Sequence, residues 1–205
     1  MTTVLYLVRH GQTDSNITGY FMGWSNEDIS DLGYAQVRSL ASRLAKFPIA
    51  SIYTSPLKRT YNTALILAQP HNLEPKILDD LIEIKLGDWQ GLHRDEIIQR
   101  WPEIWRQSRI DPSEVTFPNG ESLQQVTERA VRAYKMILAD NVDKHVIAVT
   151  HDAVIRVLVA HVLGVSNRIY RHMEIGNASM SIIKVDDDRP RLTTLNDTSH
   201  LDSQR

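Results

Sequence analysis

The sequence predicts an α/β fold built on a largely parallel sheet. Short apolar runs alternate along the chain with segments of helical periodicity, which is typical of repeated strand–helix units. Three of these runs are short and apolar enough to form buried strands. They occupy residues 4–8, 51–54 and 146–149.

The elements of the first half follow from the apolar runs and from the residues that flank them. Ser30 can cap a helix whose apolar residues, from Val37 to Leu44, recur at intervals of three and four. Ser55 is a natural N-cap, and Pro56 suits the first turn of the helix that follows it. The predicted elements are strand 3–9, helix 31–46, strand 50–54, a helix from Ser55 onwards and an extended segment at 76–84.

The second half begins with the least regular part of the chain, residues 85–120, which carry three tryptophans and three prolines. We interpret this part as a lid-like excursion over the sheet edge. Ser122 and Gln125 form a capping-box pattern, and Gly164 suits the position just after a helix. The predicted elements are a helix from 122 to about 138, strand 145–149, a helix from about 151, and a hairpin of strands 178–185 and 191–195.

Length and composition bound the class of protein. The 205 residues predict one domain, 1–205, and 42% apolar with 23% charged residues is typical of soluble globular proteins. A net charge of −2 gives no overall attraction to nucleic acid or to an anionic membrane, so we expect neither as a partner. The absence of cysteine excludes disulfides and thiolate nucleophiles. The N-terminus shows no signal-peptide pattern, and the most apolar stretch, 153–165, is too short to span a bilayer, so we expect a cytoplasmic protein.

Each of the three strand runs delivers an imidazole or a guanidinium just past its carboxyl end, where open α/β sheets bind ligands. His10 follows the first run, Arg59 lies about one helical turn past the second, and His151 follows the third. Groups of this kind suit an anion, and phosphate is the obvious candidate. A neutral imidazole can attack phosphorus to form a phosphohistidine, although a lone histidine at a strand end is more often a structural hydrogen-bonding group.

Arg9 and Arg59 favour the phosphate interpretation. A guanidinium matches two phosphate oxygens and stabilises the charge that spreads over them in the transition state. Arg59 falls in the first turn of its predicted helix, where side chains point back towards the strand ends and the helix N-terminus favours anions. Taken alone, either arginine is more often part of a surface ion pair.

A metal site is the alternative for the two histidines. No cluster of Asp, Glu and His accompanies them at ligand spacing, and the flanking arginines would repel a divalent cation, so we expect no metal. His151 would instead hydrogen-bond a phosphoryl oxygen. Asp152 and Arg156 are four residues apart and predict an intrahelical ion pair.

Glu83 is the candidate proton donor to an alkoxide leaving group. It ends the 76–84 segment between Ile82 and Ile84, and partial desolvation there would favour its protonated form. The nearby arginines would act in the opposite direction, and a solvated turn residue is the simpler interpretation of Glu83 taken alone.

These candidates belong to an ordered set of motifs. The motifs read Leu7-Val8-Arg9-His10-Gly11-Gln12-Thr13 with Asn16, Gly23-Trp24, Ser30-Asp31-Leu32-Gly33 with Gln36, Ser55-Pro56-Leu57-Lys58-Arg59-Thr60, Glu83 with Gly87 and Trp89, Asn119-Gly120-Glu121-Ser122, and Thr150-His151 with Arg156. From residue 4 to about 200, the set resembles the histidine phosphatase superfamily, in the branch that is similar to cofactor-dependent phosphoglycerate mutase.

The resemblance implies a three-layer α/β/α sandwich with a mostly parallel central sheet. It also implies a phosphomonoester hydrolase that acts on a small phosphorylated metabolite without a metal or an organic cofactor. His10 would be the phosphorylated nucleophile and Glu83 the proton donor. The phosphate pocket would consist of Arg9, Arg59 and His151, with Asn16 as a supporting ligand.

The chain departs from the mutase pattern in several places. Asp152 and Ala153 follow His151 where many relatives carry glycines. The acid segment, 83–87, lacks the His-Tyr-Gly continuation of the mutases, and the chain is shorter beyond it. No further cluster of arginines obviously suits a second phosphate. We therefore favour a phosphatase over a mutase, and keep a non-catalytic phosphometabolite-binding protein as the alternative from another class.

Substrate specificity is expected to lie in segments 17–29 and 85–120. Besides tryptophans they carry charged residues, each of which is equally well explained as solvated: Lys85, His93, Arg94, Arg106 and Arg109. Family members of this size include broad-specificity phosphatases, metal-independent phosphoserine phosphatases, α-ribazole phosphatases and glucosyl-3-phosphoglycerate phosphatases, and the motifs do not choose among them. The resemblance also suggests a homodimer.

Overall fold

The computed structural model describes residues 2–204, with side chains up to residue 201, and contains a six-stranded sheet. The strands are β1 (Thr2–Arg9), β2 (Ile49–Thr54), β3 (Lys76–Ile77), β4 (His145–Thr150), β5 (Met180–Asp186) and β6 (Arg189–Asp197). Their order across the sheet is β3-β2-β4-β1-β5-β6. The first four strands run parallel, and β5 and β6 continue the sheet as an antiparallel hairpin, so the predicted mostly parallel sheet is confirmed.

Helices cover both faces of this sheet. They are α1 (Asp14–Thr18), α2 (Asp31–Leu44), α3 (Lys58–Ala68), α4 (Arg94–Arg100), α5 (Pro102–Ile110), α6 (Leu123–Asp140) and α7 (Asp152–Leu163). None of the helices within residues 2–204 combines the length and the apolar character needed to cross a membrane.

Two hydrophobic cores, one on each face, give the three layers. Successive side chains of a strand point to opposite faces, so Tyr6 and Val8 join one core while Leu5 and Leu7 join the other. The first core includes apolar residues of α2 and α3, and the second includes those of α6 and α7. The α/β/α sandwich is therefore confirmed.

The centre of the sheet sets the position of the candidate site. Strands β1 and β4 are neighbours in parallel register, with Arg9 opposite Thr150. The backbone N–H of His10 donates to the carbonyl oxygen of Thr150 over 3.1 Å. Because both strands end at this point, His10 and His151 leave the sheet side by side.

Three of the predicted helix signals are found in place. The Ser30 hydroxyl accepts a hydrogen bond from the backbone N–H of Gly33, 3.2 Å away, at the start of α2. Ser122 and Gln125 form the reciprocal capping box of α6, with distances of 2.8 and 3.3 Å. Gly164 follows α7 in the left-handed conformation, with φ of 67°, which a residue without Cβ adopts at little cost.

Two boundaries were predicted wrongly. Helix α3 begins at Lys58 with Leu57 as its N-cap, two residues after the predicted cap Ser55, whose hydroxyl accepts from the backbone N–H of Leu57 at 3.5 Å and lies 2.7 Å from His151 Nε2. The extended segment 76–84 is a strand only over Lys76–Ile77. Its partner β2 ends where Thr54 pairs with Ile77, so no backbone remains for further pairing, and a 3₁₀ turn follows.

The segment 85–120 is more regular than we predicted, since it contains α4 and α5, and α1 lies in the first predicted loop. These helices have only five to nine residues, too few to show a clear apolar period. The segment is also anchored in a core, because Trp89 and Ile97 are almost fully buried. Its role as a lid stays a prediction.

Candidate active site

A cavity of about 290 Å³ opens at the carboxyl ends of β1 and β4. Five of the six predicted site residues line it: Arg9, His10, Asn16, Arg59 and Glu83. The sixth, His151, is fully buried directly beside His10, with 5.2 Å between the two ring centroids. The structure therefore brings together all six residues that we singled out from the sequence.

His10 is held in the form that a nucleophile requires. Its Nδ1 lies 2.8 Å from the carbonyl oxygen of Gly11, an acceptor, so the ring proton sits on Nδ1 and the lone pair on Nε2. The side chain is 3% exposed, and burial, followed by the charges of Arg59 and Arg9, holds its pKa well below the ordinary histidine range. The imidazole is therefore neutral at pH 7.

Arg59 is fixed by the loop that precedes α2. Its Nη1 and Nη2 donate to the carbonyl oxygens of Ser25 and Gly23, each over 2.7 Å. Each of these nitrogens carries a second hydrogen that can serve an anion. The predicted position in the first turn of its helix is confirmed.

Arg9 is only partly satisfied by the protein. Its Nη1 donates to the carbonyl oxygen of Ile175 over 2.6 Å and lies 4.0 Å from Asp152 Oδ1. Its buried Nε has no hydrogen-bonding partner among the described residues. A buried donor without an acceptor is costly, and the arrangement fits a site that receives an anion.

His151 lies behind His10 rather than on the cavity wall. Its Nε2 is 2.7 Å from the Ser55 hydroxyl, and its Nδ1 has no hydrogen-bonding partner within the described part of the chain. Burial, then the charges of Arg59 and of His10 itself, holds its pKa well below the ordinary range. Its contact with phosphate stays a prediction.

Asn16 presents a donor to the cavity that it lines. Its side-chain oxygen accepts from the backbone N–H of Thr13 at 3.1 Å and from Asn177 Nδ2 at 2.9 Å. Both contacts use the oxygen, so the NH₂ group is left to donate, which is the polarity that a phosphoryl oxygen requires.

The protonation of Glu83 was open from the sequence, and the structure gives its direction. Burial, followed by repulsion from Asp152, raises the pKa of Glu83, and this outweighs the lowering by its hydrogen bond to Ile84 and by Arg59 and Arg9. The carboxyl group is thus shifted towards the protonated form that a general acid needs.

Two side chains that the sequence did not single out for this purpose hold the backbone of Glu83. Its carbonyl oxygen accepts from the indole N–H of Trp24 at 2.6 Å and from Arg129 Nη2 at 3.0 Å. Arg129 also donates to the carbonyl oxygen of Asp80 and forms a two-pronged ion pair with Glu121 at 2.9 and 3.0 Å. No local pattern in the sequence indicates this role of Arg129, which lies two turns into α6.

The part of the cavity wall that comes from segments 17–29 and 85–120 differs from what we predicted. Lys85, His93, Arg94, Arg106 and Arg109 do not line it. From the two segments expected to set specificity come mostly apolar or aromatic residues, among them Tyr20, Phe21, Met22, Leu86 and Phe117. The charged residues at this end come from beyond β4, namely Asp152 and Arg171, and Tyr170 lies beside them.

The predicted ion pair between Asp152 and Arg156 is present, with Nε and Oδ2 2.8 Å apart. Within residues 2–204, no three His, Cys, Asp or Glu side chains are grouped so that they could hold a metal ion. The charges that lower the pKa of His10 are those of two guanidiniums, Arg59 and Arg9, and such groups suit an anion.

Comparison with known proteins agrees with this geometry. A family model described as the histidine phosphatase superfamily (branch 1) matches residues 5–198. Phosphoserine phosphatase 1 of Hydrogenobacter thermophilus is 35% identical, over 96% of this chain and 93% of its own length. A metal-independent phosphoserine phosphatase of Arabidopsis thaliana is 31% identical, over 98% of this chain and 84% of its own length.

Solved structures match over nearly the whole chain. YhfR of Bacillus stearothermophilus superimposes with a TM-score of 0.94 at 30% identity, over 98% of this chain and all of the other. A mycobacterial glucosyl-3-phosphoglycerate phosphatase superimposes with a TM-score of 0.88 at 29% identity, over 96% of this chain and 99% of the other.

Proposed function

We propose, from the premise that the chain belongs to the histidine phosphatase superfamily, that its hydrolysis of phosphomonoesters proceeds through a phosphohistidine at residue 10. The protein is a phosphatase of small phosphorylated metabolites. The observation that carries the proposed mechanism is the pairing, in one cavity, of a neutral His10 with a Glu83 shifted towards its protonated form.

The first step transfers the phosphoryl group to the protein. His10 Nε2 attacks phosphorus, the bond from phosphorus to the ester oxygen breaks, and Glu83 gives its proton to that oxygen. Arg9, Asn16 and Arg59 donate hydrogen bonds to the non-bridging oxygens as negative charge spreads over them. The alcohol then leaves.

The second step restores the enzyme. The Glu83 carboxylate takes a proton from a water molecule, whose oxygen attacks the phosphorus, and the bond between phosphorus and His10 Nε2 breaks. Inorganic phosphate is released, and Glu83 is again protonated for the next cycle. His151, beside His10, would bind a phosphoryl oxygen once the anion raises its pKa.

Hydrolysis is favoured over a mutase reaction, because three of the four relatives named above are phosphatases that match nearly the whole chain. The names of these relatives make phosphoserine the first substrate to test and glucosyl-3-phosphoglycerate the second. The absence of a metal requirement, the cytoplasmic location and the homodimer belong to the same proposal.

The test of this mechanism is the loss of the nucleophile. We expect His10→Ala to lower kcat/KM by roughly 10³-fold or more for every phosphomonoester, with free phosphate as the readout. The matched control is His161→Ala, which removes an exposed histidine of α7. Acid-labile phosphate trapped on the wild type and absent from His10→Ala identifies the intermediate. Wild-type phosphate release by His10→Ala, or a rate that chelators abolish, would contradict the proposal.

A further inference from the structure

The cavity has a second cationic group, at some remove from the nucleophile. Arg171 lines it from the 3₁₀ segment Asn167–His172, which follows α7. The charges that act on His10 are those of Arg59 and Arg9. Arg171 instead contacts Ser108 of α5 and the ring of Tyr170, whereas Arg59 is held by Gly23 and Ser25 and Arg9 by Ile175. The end of the cavity that contains Arg9, His10 and Arg59 therefore suits the phosphate, and Arg171 lies at a different end.

The guanidinium of Arg171 is held in place by segment 85–120. Its Nε and Nη2 both donate to the carbonyl oxygen of Ser108, in α5, over 3.1 and 2.9 Å. It also lies over the ring of Tyr170, 5.7 Å from the centroid. These contacts use one edge of the guanidinium and leave the edge formed by Nη1 and Nη2, which matches the two oxygens of a carboxylate. A side chain already fixed in this way loses little entropy on binding.

The charge of Arg171 is only partly offset by the protein, through Asp152 and the ring of Tyr170. Neither Arg171 nor its neighbour Arg109 forms an ion pair within 4.0 Å in the described part of the chain. Burial and then the charge of Arg109 lower the pKa of Arg171. A partly desolvated guanidinium beside a like charge is stabilised when an anion joins it.

The groups between the two ends define what the anion is attached to. Glu83, which protonates the ester oxygen, and Asp152 both line the cavity, and Asp152 influences Glu83 as well as Arg171. Asp152 forms an ion pair with Arg156, 2.8 Å away, so part of its negative charge is balanced when an anionic group reaches Arg171. A ligand that spans the cavity thus has its ester oxygen near Glu83 and its far end at Arg171.

We propose that Arg171 binds a carboxylate on the leaving group, so that the preferred substrates are phosphomonoesters of hydroxy acids or hydroxy amino acids. This rests on the proposed function, since the phosphate must first be seated at His10. Phe21, Leu86 and Phe117 line the same cavity and provide apolar surface for the carbon skeleton of such a substrate.

Two pairs of substrates isolate the carboxylate. O-phosphoserine and O-phosphoethanolamine differ only in that group, and 3-phosphoglycerate and glycerol 3-phosphate differ by a carboxylate against a hydroxymethyl group. We expect the wild type to favour the carboxylate member of each pair by about 10- to 100-fold in kcat/KM, the range for a charge-assisted contact. Arg171→Gln should abolish this preference, because it slows the carboxylate member of each pair much more than it slows p-nitrophenyl phosphate. Arg171→Lys should retain part of it.

The control variant is Arg168→Gln, which changes an exposed arginine of the same 3₁₀ segment that pairs with Asp111 outside the cavity. It should keep the wild-type preference. A wild type without preference, an Arg171→Gln variant that keeps it, or an equal loss on every substrate including p-nitrophenyl phosphate would overturn the proposal. Arg171→Gln that impairs only a substrate with a second phosphate, such as 1,3-propanediol bisphosphate, would overturn it too. A wild type that releases phosphate from no ester would instead contradict the proposed function.

Discussion

The indole N–H of Trp24 donates to the main-chain carbonyl oxygen of Glu83 over 2.6 Å. The same loop, through the carbonyl oxygens of residues 23 and 25, accepts both terminal nitrogens of Arg59. One short stretch of chain therefore holds a phosphate-binding group and the backbone of the proton donor in a fixed relation.

Trp24→Phe tests this relation, because it keeps an aromatic ring and removes the N–H donor. We expect kcat/KM to fall about tenfold for alkyl phosphates, whose leaving group needs a proton, and much less for p-nitrophenyl phosphate, whose leaving group does not. Trp101→Phe, in a half-buried position off the cavity wall, serves as the control and should leave both rates unchanged. An equal loss on both substrates would show that Trp24 acts on overall structure.

The pH dependence follows from the two shifted groups. His10 must be neutral, and its pKa is lowered by burial and by Arg59 and Arg9, so kcat/KM rises with pH as His10 deprotonates well below pH 6.5. Glu83 must be protonated, and its pKa is raised by burial and by Asp152, so kcat/KM falls as Glu83 ionises above pH 4.5. We expect a bell-shaped profile of kcat/KM, with its acid limb set by His10 and its alkaline limb set by Glu83. Glu83→Gln should remove the alkaline limb for alkyl phosphates, and a persisting limb would exclude Glu83 as the acid.

Asp152→Asn should move one limb of that profile. The carboxylate of Asp152 raises the pKa of Glu83, so its replacement by a neutral amide lowers that pKa and shifts the alkaline limb to lower pH. The acid limb, set by His10, should stay in place. Profiles of kcat/KM measured with one alkyl phosphate decide the matter, and an upward shift would contradict the assignment.

Arg129 and Arg132 make a matched pair for stability. Arg129 is 9% exposed and pairs with Glu121, whereas Arg132 is 62% exposed and pairs with Asp80. We expect Arg129→Met to lower the free energy of unfolding by about 3–5 kcal/mol, because it leaves a carboxylate and several carbonyl groups without their donor. Arg132→Met should cost less than about 1 kcal/mol. Urea denaturation measures both, and equal costs would contradict this account.

Gly87 and Gly91 form a second pair. Both have positive φ, +55° and +79°, but a Cβ on Gly87 would lie 1.9 Å from the carbonyl oxygen of Pro118, whereas one on Gly91 would meet nothing within 4 Å. We expect Gly91→Ala to cost about 1–2 kcal/mol of backbone strain. Gly87→Ala should cost at least about 3 kcal/mol, because the chain at 117–120 must move. Thermal unfolding of the two variants provides the comparison.

Much of the site could be predicted because it depends on local signals. An apolar run fixes where a strand ends, and in a parallel sheet the strand ends meet at one edge, so His10 and His151 could be placed together without knowledge of other contacts. The Ser30 cap and the capping box at Ser122 are local in the same sense.

The rest depends on contacts between distant parts of the chain. Trp24 and Glu83 are 59 residues apart in sequence, and Arg171 and Ser108 are 63 apart. Such contacts join a side chain to a main-chain carbonyl group, which any residue supplies, so no residue pattern indicates the acceptor. The contact between the Ser55 hydroxyl and His151, 96 residues away, is of the same long-range kind.

Strands β1 and β4 lie in the middle of the sheet, so the residues that follow them, His10 and His151, are separate from the residues expected to select the substrate. The nucleophile is built on two buried strands with neighbours on both sides, whereas the opposite wall includes Pro112 and Phe117 of segment 85–120 and Tyr170 and Arg171 of the 3₁₀ segment after α7. That wall could be grafted from another member of the fold without rebuilding the strands. The substrate specificity of this protein can thus be changed while its reaction centre is kept.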